Sequence, residues 1–247
     1  LDADADTTIS ADTDDQIDIK LGGNDTIVVK AQGSTPLMQI NAGASNNNLY
    51  IASTDATSGI SLSDNGGSIN LATTSSGAFR VMTGGTADTA ADDSAISMLI
   101  DSTGAMTKPL QPAFLAHPAS TQSNIATSTN VEVIFATERF DQNGDFASNT
   151  FTAPVTGRYQ LNAQLRFQSL DTAADYYQLR LTTSNKTYAP LIDPQRFSAD
   201  PDYWNISISI LVDMDASDTA TVNLRQQGGT QQTDIDNESY FNGYLVC

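Results

Sequence analysis

Cysteine is nearly absent. The single one, Cys247, is the last residue, so no intrachain disulfide can form and stability has to come from packing or assembly. A reducing compartment of synthesis is consistent with that. Cations are scarce too: 11 Lys and Arg stand against 29 Asp and Glu, a formal net charge of −18. Such a field repels phosphate backbones and anionic headgroups, which argues against nucleic acid and membrane surfaces as partners. Long apolar runs are missing as well. None approaches the roughly 18 residues that a spanning helix needs, and the longest stretch, Ile206 to Val212, is broken by serines and reads as a strand. The chain opens on "LDADAD", with neither a start Met nor a signal-like segment, and is expected to be the C-terminal part of a longer protein.

What the first half does have is a repeat. Apolar doublets recur as Ile17/Ile19, Ile27/Val29, Met38/Ile40, Leu49/Ile51, Ile60/Leu62, Ile69/Leu71 and Phe79/Val81, about ten residues apart. Ile9 precedes the series, and "ISMLI" (96–100) follows it. Gly, Asn, Asp and Ser fill the gaps with turn chemistry, so each doublet predicts a short strand with one buried face. Strands this sparse bury too little apolar surface on their own to offset the entropy of ordering them. Parallel chains in register would bring identical apolar stripes to a common axis, and a trimeric β-fibre shaft is the preferred expectation for residues 1–100. A single-chain solenoid and a disordered tail are the alternatives.

Residues 101–111 read as a linker, and composition shifts beyond it. Seven of the 8 Tyr, 8 of the 9 Phe and the only Trp lie in residues 112–247. Strand patterns occupy "NVEVIFA", "GRYQLNAQLRFQ", "YYQLRLTT", "WNISISILVDM", "ATVNLRQQ" and "SYFNGYLV", with turns at "DQNGD", "APVTG", "TSNK", "DASD" and "QQGG". No segment carries a helical period. Many short strands in so few residues predict a β-sandwich or jelly roll.

Here the residues resemble a known family. "FTAPVTGRYQLNAQLRF" follows the Phe-x-x-Pro-x-x-Gly-x-Tyr pattern of the complement subcomponent q globular heads through Phe151, Pro154, Gly157 and Tyr159. That family is related in fold to tumour necrosis factor. "PAFLA" resembles its opening strand, and "VIFATERFDQNGDF" its approach to the motif. "SYFNGYLV" resembles its closing strand through Phe241, Gly243 and Leu245. The resemblance implies an all-β, homotrimeric jelly-roll head. "DADADTTISADTDDQIDIKLGGNDTI" and "IDSTGAMTKPLQPAF" are similar to shafts and shaft-to-tip junctions of bacteriophage tail fibre proteins, a match of composition more than of motif.

Chemistry is thin. There is one His, His117, no G-x-S-x-G and no phosphate-binding loop, so nucleophile-and-base arrangements are missing and His117 reads as a surface or interface residue. Carboxylates are plentiful, but ten-residue repeats leave little room for a polysaccharide-cleaving groove, and no enzymatic activity is expected. Asp141, Asn143 and Asp145 have the first half of a calcium-loop spacing. Phe146 stands where that loop wants Gly and Thr152 where it wants Glu, so an Asn-Gly turn is preferred and calcium is the weaker reading. Exposed aromatics beside carboxylates suit sugar recognition, which selects Asp202, Tyr203, Trp204 and Asn205, with Asp175 and Tyr176, as receptor-binding candidates; packing of Trp204 and Tyr177 in the core or a trimer seam is the competing reading.

The expectation is therefore a virion fibre protein, assembled in the host cytoplasm. It would be a homotrimer joined to upstream phage tail or virion proteins and would bind a bacterial surface glycan or protein, with no nucleic acid and no membrane insertion. A head or collar fibre, or a capsid decoration protein without receptor binding, is the alternative.

Overall fold

The computed structural model describes residues 8–10, 16–21, 24–32, 35–40, 77–83 and 96–247. The chain divides into two compact units, Leu1–Met106 and Thr107–Cys247.

In the first unit, β1 (Thr8–Ser10), β2 (Gln16–Leu21), β3 (Asn24–Gln32) and β4 (Thr35–Ile40) pair in chain order as one antiparallel sheet. Their register explains the repeat. Ile19 lies opposite Ile9 on one side and Ile27 on the other, and Ile27 in turn opposes Ile40. Ile17 opposes Val29, which opposes Met38. Near-constant spacing thus places the doublets of neighbouring strands opposite one another across the sheet. Phe79/Val81 falls in β5 (Phe79–Met82), which pairs antiparallel with β6 (Ile96–Ile100) so that Phe79 opposes Ile100. The short β7 spans Met106–Thr107. Leu49/Ile51, Ile60/Leu62 and Ile69/Leu71 lie outside the described residues.

The second unit is a two-sheet sandwich. Its strands are β8 (Ala113–His117), β9 (Asn130–Glu132), β10 (Thr137–Asp141), β11 (Phe146–Ala147), β12 (Thr150–Thr152), β13 (Gly157–Gln168), β14 (Ala174–Thr183), β15 (Thr187–Tyr188), β16 (Leu191–Ile192), β17 (Tyr203–Met214), β18 (Thr219–Gly228), β19 (Asp234–Ile235) and β20 (Tyr240–Leu245). One sheet runs β10-β8-β20-β13-β17, with β19 also on β13. The other runs β11-β12-β18-β14-β15, with β9 on β18 and β16 on β14. Counting β8, β12, β13, β14, β15 with β16, β17, β18 and β20 as the eight principal strands, the orders are first-eighth-third-sixth and second-seventh-fourth-fifth. That is jelly-roll connectivity. The single helical turn among the described residues, Pro194–Arg196, is capped by the Asp193 carboxylate, which accepts the N–H of Gln195.

Alternation makes the core. Tyr159, Leu161, Ala163, Leu165 and Phe167 of β13 point inward and are buried, as are Leu179 and Leu181 of β14 and Val222 and Leu224 of β18. The motif residues form the aromatic centre. Phe151 stacks on Phe114 at 4.8 Å and lies 5.4 Å from Tyr159, while Phe241 meets Phe114 edge-on at 5.0 Å. The Tyr159 hydroxyl donates to the carbonyl of Val155, pinning the Pro154 turn. Burial raises the Tyr159 hydroxyl above its ordinary range, against that bond. Leu245 is half-buried and packs against the core.

Gly157 is needed for space, since a Cβ there would sit 2.7 Å from the Cys247 carbonyl oxygen and from Leu245. One local expectation needs revision. The strand expected over "NVEVIFA" ends at Glu132. The Phe135 N–H goes instead to the Asn149 side chain at 2.9 Å, although Val133 and Phe135 keep the inward alternation.

Candidate functional site

The direction of β13 sets the geography of the head. The chain enters beside its own end: the Leu245 N–H donates to the Pro112 carbonyl, and the Arg158 N–H to that of Cys247. From Gly157, β13 then runs 12 residues away from that end, roughly 37 Å at strand rise. Its far end is Gln168, paired with Tyr203, next to Phe167, paired with Trp204, and Arg166, paired with Asn205. The four candidates from 202 to 205 therefore sit together at the end opposite the chain's entry.

There Tyr203 is 62% exposed and Trp204 39%, unusually open for large aromatics. Trp204 occupies an inward position of β17, but at the rim, where it meets Phe197 edge-on at 4.8 Å. Tyr203, Trp204 and Asn205 line an open depression. Beneath Tyr203 lies the Arg166 guanidinium, 5.8 Å from the ring centre, close enough for a cation–π contact. Arg166 is fixed in turn by an ion pair to Asp236 at 2.6 Å. Burial opposes the Asp236 charge, but the Glu238 N–H, Gln168 and Arg166 outweigh it and hold the carboxyl below its ordinary 3.8.

The loops around this group are pinned. Ser169 and Leu170 donate their N–H groups to the carbonyls of Asp202 and Pro201. Thr172 donates both N–H and hydroxyl to Asp200, whose carboxyl those bonds lower. Buried Asp171 accepts from Ala173 and Thr230. Tyr177, fully buried, accepts the Asp171 N–H and bonds Thr233. Trp204 is thus a rim residue and Tyr177 a core residue. Asp175 is exposed and Tyr176 half-buried at the start of β14, in the other sheet, reached through the 169–173 loop. Sequence reasoning missed Arg166, Asp236 and Phe197. The alternation of β13 puts Arg166 on the outer face, but nothing in the pattern connects it with Asp236.

The 141–145 loop lies at the opposite end. Asn143 donates its amide to the Leu110 carbonyl, and Gln142 donates to Lys108 and Gln111. Asp141 spends both carboxylate oxygens on the N–H groups of Asp145 and Phe146. Burial, then the charge of Asp141, raises the Asp145 carboxyl, and one of its oxygens has no partner among the described residues. Gly144 takes φ +73°, as the Asn-Gly turn requires. Asp141 is thus engaged within the turn, and the function proposed below uses no calcium. Among the described residues, no group of three or more His, Cys, Asp and Glu could hold a metal ion.

No protein-family model and no curated protein sequence matches the chain. Solved structures do. The globular domain of zebrafish complement 1qA protein is similar at 17% identity, over 56% of this chain and 98% of its own, with a TM-score of 0.41. Murine APRIL is similar at 12% identity, over 55% of this chain and 99% of its own, with a TM-score of 0.42.

Proposed function

We propose that this chain is the distal shaft and receptor-binding tip of a homotrimeric bacteriophage fibre, attaching the virion to a host surface glycan or protein without enzymatic activity. The observation that carries the reading is the cluster of Asp202, Tyr203, Trp204 and Asn205, held on pinned loops at the end of the head farthest from where the chain enters. A surface meant to touch a cell belongs there. Exposed aromatic faces offer stacking area for sugar or protein, and the neighbouring carboxylate and amide offer hydrogen bonds.

Threefold assembly supplies avidity to sites that are individually weak. The outer face of the β8-β20-β13-β17 sheet is the surface suited to it. Asn162 donates to Asn242 and accepts from Ser209, and Gln160 donates to Ser209, so the central polar groups satisfy one another. Around them Leu211 and Tyr244 stay about half exposed, at 50% and 49%.

The test is competition. Purified chain at saturating concentration should block adsorption of the parent virus to its host, and the Tyr203→Ala/Trp204→Ala double variant should block it far less. Absence of any block by the unchanged protein would overturn the receptor-binding reading.

A further inference from the structure

A second group of polar side chains, away from Tyr203 and Trp204, lines a cavity of about 280 Å³ between β8, β10 and the turn before β20. Three of them carry polar atoms without partners among the described residues. His117 Nδ1 lies 3.0 Å from the Pro118 carbonyl oxygen. A carbonyl only accepts, so Nδ1 carries the proton and Nε2 of the neutral ring is an acceptor. That Nε2 is buried with no partner among the described residues. Arg139 and Glu238 border the same space, are exposed, and pair neither with each other nor with any other described side chain.

The setting is built for presentation. Opposite β8, the pairing register jumps from Glu138 to Phe140, so Arg139 is the extra residue of a β-bulge, a device that re-aims a side chain out of the ladder. Glu238 sits on a turn held at several points. The Asp236 carboxylate accepts its N–H, the Asp236 carbonyl accepts that of Ser239, and the Ser239 hydroxyl accepts that of Arg166. Leu115 and Tyr240 add apolar surface.

We infer that this pocket binds one neutral sugar residue. A cation would meet Arg139, and an anion would meet Glu238 in a chain of net charge −18. A ring of hydroxyls both donates and accepts. It can donate to Glu238, accept from Arg139, and lay its C–H face on Tyr240, beside the His117 ring. The volume lies just under the roughly 300–1,000 Å³ of drug-sized sites, which suits a single ring. The pocket is separate from the Tyr203/Trp204 surface, so the two readings fail independently.

His117 is the only histidine in the chain and therefore a clean reporter. The ¹⁵N-labelled full chain is titrated separately with glucose, galactose, mannose and N-acetylglucosamine while its one imidazole is followed by NMR. Expected is a saturable shift of the Nε2 signal with at least one sugar. Glu238→Gln or Arg139→Met should weaken it by about tenfold or more, and Tyr203→Ala should leave it unchanged. Both variant positions are exposed, so folding is preserved. No saturable shift with any of the four sugars overturns the assignment. So does a larger response to acetate or phosphate, which marks an anion site. A shift driven by protein concentration alone overturns it too, because a second copy then fills the pocket.

Discussion

The Arg166 guanidinium meets the Asp236 carboxylate at 2.6 Å, tying β13 to the turn that precedes β20. Asp236 is almost fully buried, whereas Arg166 is about one-third exposed, so the cation faces Tyr203 and solvent while the anion is held inside. The Asp236 carboxyl lies below its ordinary 3.8 in the folded head, so the unfolded chain takes up the proton more readily. The stabilisation is complete above the unfolded value and is lost as pH falls below 3.8 through the folded one. Asp236→Asn should cost about 1–3 kcal/mol at neutral pH. The gap to the parent in urea unfolding should narrow as pH drops below 3.8. A gap independent of pH would mean that shape, and not charge, is what Asp236 contributes.

Two glycines should fail for different reasons. A Cβ on Gly243 would lie 2.5 Å from Leu161 Cδ2 and 2.9 Å from Phe114 Cε1, both core atoms. Gly243→Ala should therefore cost about 1–3 kcal/mol through overpacking. Around Gly144 nothing lies within 4 Å, but φ is +73°. Gly144→Ala should cost about 1–2 kcal/mol through the backbone, and Gly144→Asn clearly less. Thermal unfolding of these three variants and of Gly243→Asn separates space from conformation: Asn should rescue at 144 and not at 243.

These glycines also mark what was legible in the sequence. Steric demands at Gly243, Phe151 and Tyr159 admit few residue types, so they leave a pattern that can be read along the chain. The period-two alternation of β13 and β14 is local in the same sense. Pairings between distant residues leave no such trace. Arg166 with Asp236, and Arg139 beside Glu238 and His117 without pairing to them, are brought together by jelly-roll crossovers, and any polar residue on an outer face satisfies the same pattern. Hence the aromatics of residues 203–204 could be selected as candidates, but not the ion pair beneath them. His117 read as a surface residue because nothing near it in sequence gives its ring a neighbour.

Tyr177 anchors the tip loops from within the core. Its hydroxyl accepts the Asp171 N–H at 2.9 Å and reaches Thr233 Oγ1 at 2.6 Å, while Thr233 donates to the Ser169 carbonyl. Tyr177→Phe keeps the packing and strands the Asp171 N–H, so it should cost about 1–3 kcal/mol. Hydrogen exchange should accelerate first in residues 169–173 and 229–233. Protection lost evenly over both sheets would show that the bond supports the whole core and not the tip.

The register also makes the threefold proposal testable. Gln160 lies between Leu211 on β17 and Tyr244 on β20, so the two half-exposed apolar residues flank one polar position across three adjacent strands. If this face joins subunits, a Leu211→Glu/Tyr244→Glu variant buries two charges in the contact, and unpaired buried charge is costly enough to abolish association. Light scattering on the unchanged chain should then give about three times 26.2 kDa, and the variant should move toward the monomer with its β-sheet circular dichroism intact. A variant that remains trimeric would assign the contact to another surface. A monomeric parent would remove avidity from the attachment model, so that the tip would have to hold its receptor through one site alone.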